Sequence, residues 1–142
     1  MSPLGDDLID WEAYGECRAE LGADFVRILG YFREDGAKSV QRIEEAMRAM
    51  NAVALVIPAH TLKGEARQFG AEPLADLAEV IETGARTCIE HRDAPDALIA
   101  EVVKLRALFE SSLELLERES NPLVERRGSR PPLQAAGTFG RA

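Results

Sequence analysis

Residues 98–116 read LIAEVVKLRALFESSLELL, and the order of apolar side chains in that stretch decides the fold class. Leu98, Val102, Leu105, Phe109, Leu113 and Leu116 recur at spacings of four and three, which gathers them on one side of a helix. A half-buried strand would need alternation at every second residue, and the run has none. One apolar stripe on an otherwise charged helix is the pattern of a core-facing helix in a bundle.

The same period continues toward the N-terminus. The 98–116 helix is expected to open at Asp93, with Asp96 in its first turn favourable to the helix dipole. Before it, a helix opening at Pro73 carries Leu74, Leu77, Ala78, Ile81 and Cys88 on one side. Asn51 can cap a third helix running to about Gly70, with Pro58 inside it as the expected site of a kink. A fourth runs from an N-cap at Asp24 to about Met50, with Phe25, Ile28, Phe32, Val40, Ile43, Met47 and Met50 as its apolar positions. Gly36 interrupts that stripe and is expected to mark a bend. A shorter helix, Trp11 to Leu21, has Trp11, Tyr14 and Leu21 as its buried side. The expected fold is all-α: an antiparallel four-helix bundle with short connections and an additional N-terminal helix.

The pattern stops after Glu119. The remainder, SNPLVERRGSRPPLQAAGTFGRA, holds three Pro and three Gly and cannot continue a helix. The division is therefore a helical-bundle domain over 1–119 and a flexible basic tail over 120–142, docked at most through Leu123 or Phe139. The net charge of −8 argues against a nucleic-acid partner, since phosphate backbones are gripped by clustered cations. The excess is uneven: the body to Glu119 is acidic, whereas the tail sets Arg126, Arg127, Arg130 and Arg141 against Glu125 alone. No apolar run is long enough to span a bilayer, and the N-terminus lacks the charged and apolar regions of a signal peptide. Cys17 and Cys88 stand apart, without metal or disulfide spacing, as reduced packed thiols of a cytoplasmic protein. No metal or other cofactor is expected.

Chemistry concentrates in Ala59-His60-Thr61-Leu62-Lys63-Gly64-Glu65-Ala66-Arg67-Gln68-Phe69-Gly70-Ala71. At about 100° per residue, with His60 at zero, Lys63 and Gly64 lie near −60° and +40°, Arg67 near −20° and Ala71 near +20°. Leu62, Ala66, Phe69 and Ala59 take the opposite side. One face is thus apolar, and the other presents a histidine among two cations and two very small residues. A neutral imidazole is a competent nucleophile near neutral pH. Lys63 could offset charge on an arriving phosphoryl group, and Arg67 could contact that group or a partner carboxylate. Gly64 is costly inside a helix and would leave room for a partner to approach. A lone surface histidine is usually inert; the glycine beside it is what an inert surface explains poorly. His91, near a helix end, reads as an ordinary surface residue.

The stretch His60-Thr61-Leu62-Lys63-Gly64, then Gly70-Ala71, Leu74, Leu77, Ile81 and Glu82, resembles the signature of histidine phosphotransfer (HPt) domains, and the helical layout extends the resemblance over about 21–118. The resemblance implies a non-enzymatic phosphoryl carrier in a two-component phosphorelay. On it, His60 is the phosphoacceptor, Lys63 the phosphoryl-stabilising cation and Gly64 the clearance. Gly64, Arg67, Gln68 and Ala71 are expected to meet the partner. Partners would be response-regulator receiver domains and hybrid histidine kinases, with Mg2+ only in the receiver and the chain itself a monomer. Two departures stand out: Glu65 and Ala66 replace small or hydroxyl residues of many members, and Pro58 is not general. An autophosphorylating kinase helix usually has an acidic residue directly after its histidine, where this chain has Thr61. The alternative from another class is an adaptor that binds receivers without phosphotransfer.

Overall fold

The computed structural model describes residues 8–120. The expected tail from 121 onward, Leu123 and Phe139 included, lies outside the described residues. Five helices follow one another: α1 (Trp11–Leu21), α2 (Phe25–Arg48), α3 (Ala52–Gln68), α4 (Glu72–His91) and α5 (Ile99–Ser120). The four long ones close a ring in which α2 packs on α3 and α5, and α4 packs on α3 and α5. This is the expected all-α four-helix bundle, with α1 laid against it.

Three helix ends are built alike, and although the ends near Met50 and Gly70 were expected, their shared backbone conformation was not. Gly70 has φ +83°, Met50 +53° and Arg92 +57°. After each, the next amide reaches back five residues: Asn51 to the Ala46 carbonyl, Ala71 to that of Ala66, Asp93 to that of Cys88. These bonds satisfy carbonyls that a helix end otherwise leaves open. Two of the three turns use a residue with a side chain where glycine is favoured, so the composition gave no stop signal. Met50 accordingly sits in a turn beyond α2 and is exposed rather than on its apolar stripe. Asp93 closes α4 instead of opening α5, which starts at Ile99 after a 3-10 turn over Pro95–Leu98. Asn51 does cap α3, accepting the Ala54 amide at 3.1 Å. Asp24 does not cap α2; its carboxylate pairs with Arg27 at 2.8 Å.

The core runs along an aromatic path, Trp11–Tyr14–Phe25–Phe69–Phe32–Phe109, with successive ring centroids 5.1 to 5.7 Å apart. Most contacts are edge-on, the arrangement aromatic quadrupoles favour. On α1 the buried side is Tyr14 and Cys17, while Trp11 and Leu21 are only partly covered. On α5 the stripe includes Ser112, fully buried, and Leu113 is partly covered. Gly36 is a packing residue: a Cβ there would lie 2.5 Å from Cε1 of Phe109. Gly70 receives α1, since its carbonyl accepts the Asp10 amide at 2.7 Å. Pro58 is buried inside an unbroken α3. No helix among the described residues is long and apolar enough to cross a membrane. Both cysteines are free, Cys17 buried and Cys88 half-buried.

Candidate functional site

The apolar side of α3 is the one the periodicity assigns: Ala59, Leu62, Ala66 and Phe69 are all buried. Packing that face inward turns His60 outward, and its side chain is 59% exposed. The neighbouring helix α4 buries Leu74, Ala75, Ala78, Ile81, Ala85 and one carboxylate, Glu82. Glu82 is only 7% exposed, yet it sits against the exposed histidine.

That carboxylate organises the site. His60 Nδ1 lies 3.0 Å from Glu82 Oε2, and Lys63 Nζ lies 2.9 Å from Oε1. Arg86, one turn further along α4, donates to Oε2 from Nε at 3.2 Å and from Nη2 at 2.9 Å. Burial alone would raise the pKa of Glu82, but hydrogen bonds from Lys63, Arg86 and His60 outweigh it and hold that pKa at about 2. An ionised carboxylate only accepts, so neutral His60 carries its proton on Nδ1. The lone pair is then on Nε2, the ring nitrogen that Glu82 does not hold. An acceptor that fixes the proton on one imidazole nitrogen is the usual way to set the reactivity of the other.

The residues expected at the site divide. Lys63 is beside His60 through Glu82 and is 24% exposed. Gly64 is exposed, and a Cβ built there would meet nothing within 4 Å among the described residues; none of them requires glycine at this position. Gln68 is exposed. Arg67 is engaged elsewhere: its guanidinium reaches Glu72 at 2.9 Å, Asp76 at 3.4 Å and Glu79 at 2.7 Å. Ala71 is fully buried, so it offers no contact to a partner. The wheel put it on the His60 face by extending α3 past Gln68, whereas the left-handed Gly70 ends that helix and turns Ala71 inward.

Sequence reasoning passed over Arg86 and used Glu82 only as part of a signature. A signal was present: Glu82 falls on the apolar side of α4 directly after Ile81, and Arg86 follows four residues later, an ion-pair spacing. It also left unmapped the apolar residues near His60. Val53 and Ile57, seven and three residues before it, are 66% and 69% exposed. They continue into an open groove of about 430 Å³ lined by Met50, Val53, Cys88, Ile89 and Arg92. No group of three or more potential metal ligands occurs among the described residues. His91 is exposed, its Nδ1 3.0 Å from the Thr87 carbonyl.

The model of the family described as Hpt domain matches residues 27–119. Among solved structures, the chain is similar to histidine-containing phosphotransfer protein B (HptB) from Pseudomonas aeruginosa PAO1. The identity is 22%, with 80% of this chain and 94% of that one covered and a TM-score of 0.69. No curated protein matches.

Proposed function

This chain belongs to the Hpt domain family, and on that premise we propose that it is a phosphorelay intermediary carrying a phosphoryl group on His60. It accepts the group from an aspartyl phosphate on one receiver domain and passes it reversibly to another response-regulator receiver. The observation that carries this reading is an exposed imidazole whose Nδ1 is held by a buried, ionised Glu82, leaving the Nε2 lone pair outward.

In the forward step Nε2 attacks phosphorus, the N–P bond forms, and the P–O bond to aspartate breaks with its electron pair returning to that carboxylate. The ring gains positive charge, which Glu82 offsets across the Nδ1 hydrogen bond. Lys63 supplies a cation one turn from the ring for the phosphoryl oxygens. Any divalent cation belongs to the receiver. Val53 and Ile57 form the apolar rim on which the receiver docks, and Gly64 keeps the far side of the ring clear. The chain has no catalytic machinery of its own in this reading; it is a carrier, acting as a monomer in the cytoplasm.

The test is to mix the chain with a receiver domain bearing labelled aspartyl phosphate. Label passes to the wild-type chain and not to His60→Gln. Stable binding without transfer favours the adaptor alternative and contradicts the carrier.

A further inference from the structure

Arg86 shares a single oxygen with the histidine. Glu82 Oε2 receives His60 Nδ1 at 3.0 Å and the Arg86 Nη2 at 2.9 Å, so the ring and the guanidinium are one atom apart. An unshielded carboxylate against an imidazole does two things: it orients the ring, and it favours the protonated imidazolium. Only the first helps a nucleophile, because a protonated Nε2 has no lone pair to give. Two cations on the same carboxylate separate these effects. Lys63 and Arg86 offset part of its charge, while Oε2 remains a hydrogen-bond acceptor.

We propose that Arg86 is a positioning residue that acts through Glu82, fixing Oε2 on Nδ1 and cancelling enough carboxylate charge to keep His60 neutral where it reacts. The role rests on the carrier reading above and concerns the same site. The charged groups around the ring are Lys63 and, further along α3, Arg67 with its carboxylates; from α4 they are Glu82 and Arg86 itself. Arg86 is 59% exposed, so replacing it opens no cavity.

The experiment titrates the ring protons of His60 by NMR in the whole chain, as wild type, Arg86→Gln and Arg86→Lys. In parallel, the pH profile of phosphoryl acceptance is measured with phosphoramidate. There the P–N bond of the donor breaks as His60 Nε2 bonds to phosphorus, and ammonia leaves with the electron pair and a solvent proton. In Arg86→Gln the His60 transition and the rising limb of acceptance both move to higher pH by about 0.5–1 unit. Arg86→Lys, which keeps the charge but not the two-pronged grip, restores most of that displacement. His91, held on the Thr87 carbonyl and apart from Glu82, serves as the internal control. Coincident His60 transitions in wild type and Arg86→Gln, or a displacement to lower pH, overturn the proposal. A wild-type chain that takes no phosphoryl group, with the His60 transition of Arg86→Gln still displaced from it, contradicts the carrier reading and supports the charge-balancing role.

Discussion

At the residue scale the site is a histidine, a buried carboxylate, two cations and a glycine, and its smallest member gives the sharpest prediction. Gly64 has open space where a side chain would go, so Gly64→Arg keeps the fold and is slightly more helical. The arginine stands beside His60, where a receiver must approach. Transfer from a receiver therefore falls by at least about tenfold, equivalent to about 1.4 kcal/mol, while acceptance from phosphoramidate is retained. Equal losses with both donors would show that the glycine serves the chemistry rather than the approach. His60, Lys63 and Gly64 were legible because they share one helical face within five residues. Glu82 and Arg86 were not, because their place beside His60 depends on how α4 packs on α3, which periodicity within either helix does not specify. Arg67 shows the converse: its direction on α3 was readable, but its three carboxylate partners come from residues near and on α4.

At the element scale the faces were legible, the ends of α2 and α3 were legible to within about two residues, and the start of α5 was not. The apolar side of α3 is buried as its spacing requires, and Asn51 caps the helix it was expected to cap. The failures cluster where Met50 and Arg92 take left-handed conformations that glycine would adopt at less cost. That cost is testable. Arg92 is exposed and forms no ion pair among the described residues, so Arg92→Gly relieves backbone strain at little cost in contacts there. It raises stability by about 0.5–1 kcal/mol despite the larger entropy of an unfolded glycine, read as a higher denaturant midpoint with an unchanged slope. A lower midpoint would mean that the arginine side chain stabilises the turn by more than its backbone costs.

At the scale of the whole molecule, two carboxylates set the pH limits of stability from opposite sides. Glu82, held at about 2, contributes stability that is whole above the usual carboxylate range and lost as the pH falls toward that value. Glu65 behaves in reverse: burial and the nearby Asp35 carboxylate push it up to about 7, and its Oε1 is buried without a hydrogen-bond partner. Its neutral form suits the fold, so stability is whole below about 4.5 and drains as the pH rises through about 7. Glu65→Gln matches wild type near pH 5 and exceeds it near pH 8 by about 1 kcal/mol, allowing for partial solvent screening. Thermal melts across that range check it, and a difference independent of pH would contradict the ionisation argument. The bundle thus holds one carboxylate ionised at the site and pushes another, near Asp35 of α2, toward its neutral form. The central claim, that Glu82 directs phosphoryl chemistry to Nε2 of His60, meets its most direct test in the chain labelled with 15N-histidine and phosphorylated by a receiver domain. NMR should show phosphorus coupled to Nε2 of His60, with Nδ1 still protonated against Glu82. Phosphorus on Nδ1, on His91, or on no histidine would contradict the account.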